Sequence, residues 1–257
     1  MYQETVTVME SYNQSLAKDI GMGAVRSALM RLLRSQDLVG WSSREESGRL
    51  DRRSFKRMAA GEESLFSRRQ YKEAEKSAVS IMVDCSGSMS GTGIEPAQDV
   101  SIHLGQLLDK ARVSFACHGF RSTSTMDASV TAEEYLIIPF KPWGLSFRKS
   151  SARLGAMKFM ANYGTPDYAA LYWAVEDLSR RPESRRILFV ITDARGYEID
   201  KMKIIRDFAE RHKIKLIAVG INADSRLDQI FPVSINIASA KALGDAAFRT
   251  LLNGVKL

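Results

Sequence analysis

An aspartate and two serines alternate in the stretch Asp84-Cys85-Ser86-Gly87-Ser88. A carboxylate and two hydroxyls on one short loop are hard oxygen donors, suited to Mg2+ or Mn2+ and not to zinc. Gly87 lets the backbone turn between them. Mg2+ takes six oxygens and keeps several waters, so this loop alone is an incomplete set. Two further oxygens are candidates to join it: Thr165, in Tyr163-Gly164-Thr165-Pro166, and Asp193, at the end of Val190-Ile191-Thr192-Asp193. In a purely structural role, Asp84 and the serines would cap the turn and helix that follow. That reading leaves Thr165 and Asp193 without a use.

Such distant residues meet only if the elements between them bring them together. Ala78–Val83 is a continuous apolar run, as in a strand covered on both faces. Ile94–Ala111 has helical periodicity, and Val113–Cys117 and Tyr135–Phe140 read as strands, the latter stopped by Pro139 and Pro142. Pro166 sits where a helix over Asp167–Arg180 would start. Arg186–Thr192 is a buried strand, Asp200–His212 a helix, Lys215–Val219 and Val233–Ala238 strands, and Lys241–Leu252 a closing helix. Strands alternating with helices predict an α/β fold with a doubly wound, mostly parallel sheet. Ligands in such sheets bind at the carboxyl ends of strands, near the topological switch point. This domain is expected over residues 77–257. Residues 1–76 read as a mainly helical basic extension, with a helix over 15–37, a polar loop over 40–48, a helix over Leu50–Ala60 and a hairpin or arm over 64–76.

Composition narrows the function classes. The chain has 257 residues, 45% of them hydrophobic and 26% charged, which excludes a collagenous, low-complexity or wholly disordered chain. No apolar run reaches the ~18 residues of a membrane span, and the N-terminus lacks the apolar stretch of a signal peptide. Two cysteines, Cys85 and Cys117, make no disulfide framework, so the cytoplasm is the expected compartment. Net charge is +7, and residues 26–72 hold 12 Lys/Arg against six acids. Within them Arg49, Arg52, Arg53 and Arg57 are the candidate docking residues, a solvated helical face being the plainer alternative. A nucleic-acid-binding module would use the same residues. Acids mixed among the bases, and no RNP, zinc-finger or helix-turn-helix signature, speak against it.

No catalytic constellation is evident. The chain has no G-x-x-x-x-G-K-[ST] loop and no G-x-S-x-G elbow. His103, His118 and His212 lie far apart, without zinc-ligand spacing. His118, after a strand, is a candidate for the site's rim, with a packed histidine as the alternative. Trp143, in the loop Lys141-Pro142-Trp143-Gly144, is a candidate interface anchor.

Asp84-x-Ser86-x-Ser88 after an apolar strand, the Thr165-Pro166 loop and the strand ending in Thr192-Asp193 resemble the metal-ion-dependent adhesion site of von Willebrand factor A domains, over about residues 77–257. The resemblance implies that Ser86, Ser88 and Thr165 bind the metal directly, that Asp84 and Asp193 act directly or through water, and that a partner's carboxylate completes the site. Gly87 and Gly164 would shape its rim. The family usually has Gly after the last aspartate, whereas this chain has Ala194-Arg195. Arg195 would either pair with the incoming carboxylate or repel the metal.

A narrower resemblance, to the C-terminal region of the CobT subunit of cobaltochelatase, rests on Gly48–Arg53, Glu75–Met89, His118-Gly119-Phe120, Ala170–Ala174 and Arg181–Leu188. It implies a helper of an AAA+ ATPase ring of MoxR/CobS type, or a non-catalytic subunit of a cobalt chelatase in cobalamin biosynthesis. The chain lacks the long acidic linker of such subunits, which favours the ATPase partnership over cobalt chemistry.

Overall fold

The computed structural model describes residues 2–21, 23, 26, 29, 40–45, 49–50, 66–70, 77–123, 134–224, 226–231 and 233–243. The chain divides into two compact units, Met1–Leu33 with Lys76–Leu257, and Arg34–Glu75.

In the larger unit, helix α1 (Tyr2–Ala17) precedes strand β4 (Ser77–Asp84), helix α2 (Ile94–Lys110) and strands β5 (Ser114–Ser122) and β6 (Tyr135–Lys141). Helices α3 (Ser151–Gly155) and α4 (Asp167–Ser179) follow, then β7 (Arg185–Thr192), α5 (Ile199–Arg211), β8 (Ile214–Ile221), α6 (Leu227–Ile230), β9 (Ser234–Ile237) and α7 (Ala240–Leu243). The sheet order is β6-β5-β4-β7-β8-β9. All neighbours are parallel except β5 and β6. This is the doubly wound, mostly parallel α/β sheet that the sequence predicts.

Residue parity along β4 divides the core. Val79, Ile81 and Val83 pack in one cluster with Val100, Leu104 and Leu108 of α2. Ala78 and Met82 pack in the other with Ala170, Leu171, Ala174 and Leu178 of α4. Burial on both faces is why these strands read as unbroken apolar runs. Pro139 is tolerated because β6 lies at the edge of the sheet and is bulged against β5 at Cys117/His118. From β4 the chain first extends to β5 and β6 on one side and then crosses to β7 on the other. The switch point therefore lies at the carboxyl end of β4, where Asp84 stands.

The amino-terminal part differs from the sequence expectation of one mainly helical extension over 1–76. Helix α1 ends at Ala17, inside the expected 15–37, where the Asp19 carboxylate accepts the Gly21 N–H at 3.0 Å, a local bond that competes with continued helix; within that span Gly23, Arg26 and Leu29 are helical, and most of its other residues lie outside the described ones. Helix α1 also belongs to the larger unit. Gln98 of α2 donates to the hydroxyls of Ser11 and Ser15 at 2.9 and 2.8 Å, and Lys18 pairs with Asp99 at 2.6 Å. Gly155 lets the two backbones approach: a Cβ there would stand 2.0 Å from the Val8 carbonyl oxygen.

The smaller unit holds β1 (Gly40–Glu45), β2 (Arg49–Leu50) and β3 (Phe66–Gln70), an antiparallel sheet of order β1-β3-β2. The expected loop over 40–48 is therefore strand over 40–45, and Leu50 lies in a strand and not in a helix. Register with β3 decides this, since GWSSRE has no clean apolar alternation. Most of the expected helices over Leu50–Ala60 and Lys241–Leu252 fall outside the described residues. No helix among the described residues is long and apolar enough to cross a membrane.

Candidate metal centre

Asp84 ends β4 and Thr192 ends β7, the adjacent parallel strand, with Val83 opposite Ile191. Asp84 is fully buried. One of its oxygens accepts the Ser86 N–H at 2.9 Å and the other accepts the Thr192 hydroxyl at 2.7 Å. The first bond folds the loop back so that Ser86 follows Asp84 into the crevice. The Ser86 and Ser88 hydroxyl oxygens then lie 3.0 Å apart.

A second loop closes on the first. Gly87 donates its N–H to the Tyr163 carbonyl at 2.7 Å, and Asn162 donates to the Cys85 carbonyl at 3.0 Å. A Cβ at Gly87 would stand 3.1 Å from that Tyr163 oxygen, so the position favours glycine for close approach as well as for turning. Gly164 is held by Ser122, donating to its hydroxyl at 2.8 Å and accepting its N–H at 3.0 Å. These bonds hold the loop that carries the half-buried Thr165 against the serine loop.

Asp193 is 3% exposed. Its Oδ1 accepts the Arg195 N–H at 3.0 Å, while its buried Oδ2 has no hydrogen-bond partner. The Arg195 Nε lies 3.7 Å from that oxygen, on a side chain 62% exposed, an ion pair outside hydrogen-bond range. Thr192 links the two carboxylates' loops, accepting the Ala194 N–H at 2.9 Å while donating to Asp84.

Burial pushes the Asp84 carboxyl up to about 6, against the pull of its Ser86 and Thr192 hydrogen bonds, and the charge of Asp193 adds to the rise. Tyr197 is buried beside these carboxylates, and burial with the Asp84 charge drives its hydroxyl well above the ordinary range. The site is thus rich in buried negative charge and has one orphaned acceptor. A hard cation fits it. Cis oxygens of an octahedral Mg2+, each ~2.1 Å from the ion, lie ~3.0 Å apart, which matches the serine pair. Among the described residues no group of three or more His, Cys, Asp or Glu could hold a metal, so a site here needs further oxygen donors beyond its carboxylates.

Sequence reasoning did not single out Thr192 or Tyr197 for this site. The signal for Thr192 was present, since a polar residue ending a buried strand beside an aspartate needs a partner. The role of Tyr197 depends on the turn after Asp193.

Other expected site residues lie elsewhere. His118 does not line the rim. It sits opposite Met82, two rungs before Asp84, is 5% exposed and packs edge-on against Trp173 at 5.1 Å. Burial pushes its imidazole down to about 4, so it stays neutral. Between pH 6.5 and 4 the unfolded chain binds a proton there that the folded chain refuses. Stability from this group is therefore intact above pH 6.5 and falls on acidification, by up to about 3 kcal/mol at ~1.4 kcal/mol per unit. His118→Leu should flatten this acid limb in urea melts at pH 7 and pH 4.5; an unchanged slope would refute the assignment.

Trp143 donates to Asp177 at 2.7 Å and lies under the Arg181 guanidinium at 4.6 Å. Asp177 and Arg181 are at the end of α4 away from Thr165, so Trp143 is a packing residue there and not an anchor at the metal loops. Arg49 is in β2, while Arg52, Arg53 and Arg57 lie outside the described residues.

Ala194 has φ +55 and is fully buried. Its methyl packs against the α4 side of the core, which offsets the left-handed strain. Ala194→Val adds a branched side chain where neither backbone nor packing accepts one, and should cost about 3 kcal/mol by thermal or urea melts. A cost within experimental error would show that the loop relaxes freely.

No protein-family model matches the chain. A von Willebrand factor A domain-containing protein of Dictyostelium discoideum is 29% identical over 156 residues, 60% of this chain and 16% of that protein. The chain thus matches only a minor part of that relative's length. Among solved structures, the conserved hypothetical protein BatB from Bacteroides thetaiotaomicron superposes with a TM-score of 0.51 at 13% identity, over 68% of this chain and 97% of that one. Manganese-loaded TRAP protein of Plasmodium vivax superposes with a TM-score of 0.50 at 13% identity, over 69% of this chain and 74% of that one. With a six-stranded, mostly parallel sheet of this order, the fold of the chain is that of a von Willebrand factor A domain.

Proposed function

We propose that this chain is a divalent-metal-dependent protein-binding module. Mg2+ or Mn2+ would be held by Asp84, Ser86, Ser88, Thr165 and Asp193, and a carboxylate from a partner would complete the ion's shell. The observation that carries this reading is the buried Asp193 Oδ2 without a hydrogen bond, and the pairing of the Ser86 and Ser88 hydroxyls 3.0 Å apart supports it. When bound, the ion supplies a Lewis-acidic bridge between protein and partner oxygens. The chain's own residues do the rest: Thr192 and the Ser86 N–H orient Asp84, and the Tyr163–Gly164 backbone holds the loops in register. That the Plasmodium protein of the same fold was solved manganese-loaded agrees with the metal class.

The partner in this reading is an AAA+ ATPase ring of MoxR/CobS type, and the compartment is the cytoplasm, where the free thiols Cys85 and Cys117 would stay reduced. Support for the ATPase comes from the CobT-like segments. One of them is structural: Arg181 pairs with Glu183 at 2.6 Å, and Arg186 donates to the Glu183 carbonyl at 3.0 Å, forming the entry to β7. The basic residues Arg49, Arg52, Arg53 and Arg57 would serve as the docking face. The tagged protein should recover an AAA+ ATPase from its native cell with Mg2+, and neither with EDTA nor as Asp84→Asn. Recovery indifferent to both treatments would overturn the metal-dependent reading, and recovery of nucleic acid in place of an ATPase would overturn the partner.

A further inference from the structure

Beside the metal loops lies a cation that forms no ion pair among the described residues. Arg121, next to last in β5, is half-buried, and its Nε and Nη1 are shut off from solvent without a hydrogen-bond partner. The guanidinium lies 4.7 Å from the centre of the Tyr163 ring. Unpaired N–H groups on a buried guanidinium are costly, and a carboxylate that accepts two of them in a fork relieves that cost.

Tyr163 is the cover over this group. It is 42% exposed and held at φ +64, unfavourable for a bulky residue. Its backbone is pinned by the Gly87 N–H, so only the side chain is free to move. Turning the ring outward uncovers Arg121 beside the Gly164–Thr165 loop, which Ser122, the neighbour of Arg121, already holds. On the opposite strand end Arg195 is exposed and only loosely paired with Asp193. The mouth of the site is therefore negative at its floor and positive at its margins.

We propose that the partner segment is acidic at two positions, one carboxylate completing the metal site and a second, a few residues away, seated on Arg121 after displacement of the Tyr163 ring. This rests on the metal-dependent reading above and adds the partner's chemistry: an acidic-pair peptide and not a lone carboxylate.

Capped peptides with a single aspartate, and with two aspartates separated by no, one or two glycines, test it on the full chain loaded with Mn2+. Anisotropy of labelled peptides reads binding, and a separate Mn2+ titration reads the metal. At least one paired peptide should bind about tenfold or more tighter than the single-aspartate peptide, and Arg121→Gln should bring it to within about twofold while Mn2+ affinity stays unchanged. Arg121→Lys, which keeps the charge and loses the fork, should recover only part of the advantage and serves if the glutamine variant folds poorly. Equal binding of all peptides, or an advantage that survives both variants, overturns the acidic-pair proposal and leaves the metal reading standing. Absence of Mn2+ binding to the wild-type protein overturns both.

Discussion

Asp84→Asn should reduce Mn2+ affinity by about 100-fold or more while leaving the metal-free fold at least as stable as wild type. The two halves of this result have one cause. Asp84 is fully buried, and that burial raises its carboxyl to about 6, so the ion-free fold carries a desolvation penalty there. Asparagine is nearly isosteric, keeps an acceptor for the Ser86 N–H and removes the charge. It also removes the repulsion with Asp193, leaving too little negative charge to draw a cation into the crevice. In wild type, Mn2+ at ~100 times its dissociation constant should add about 2.7 kcal/mol to stability. For a domain of this size that raises the melting temperature by roughly 5–10 °C. Under the same conditions Asp84→Asn should shift by no more than roughly 1–2 °C between Mn2+ and EDTA. A variant that still shows the full Mn2+ shift would remove Asp84 from the metal site, and one that melts far below wild type in EDTA would make Asp84 a structural residue.

The second large effect is expected far from the metal. Gly155 closes α3 against α1, and a Cβ there would stand 2.0 Å from the Val8 carbonyl oxygen and 3.0 Å from the Tyr12 Cβ. Both obstacles belong to a helix backbone or its first side-chain atom, so neither swings aside. Gly155→Ala must therefore shift α1 or α3 and should cost about 3 kcal/mol or more. The polar bonds of α1 would fail with it: Gln98 to Ser11 and Ser15, His103 to the Ser15 carbonyl at 2.9 Å, and Lys18 to Asp99. Hydrogen exchange should show α1 amides losing protection while β4 and β7 keep theirs. Retained protection throughout α1 would show that the helices slide apart at little cost.

Parts of the larger unit could be read from the chain because each depends on neighbouring residues. The runs Ala78–Val83 and Arg186–Thr192 became β4 and β7, and the 3.6 periodicity of Ile94–Ala111 became α2, with ends within a residue or two. The smaller unit was opaque for the opposite reason. Its strands are short and polar, and only pairing across β3 makes GWSSRE a strand.

At the candidate site, the sequence by itself determined the donor types: oxygen ligands on a loop after a buried strand, with a threonine and a second aspartate at the ends of later elements. It also determined that these donors suit a hard cation, because chemistry follows residue type. Only the tertiary structure decided which residues share the crevice. Strand order placed Thr192 on Asp84, loop hydrogen bonds brought Gly164 to Ser122, and helix α4 drew His118 and Trp143 away to its own packing. It likewise placed α1 on the larger unit and left Arg121 beside the Tyr163 ring, with no ion pair among the described residues. Those outcomes depend on contacts between residues tens of positions apart, fixed by sheet register and close packing and by nothing in the local spacing of the chain.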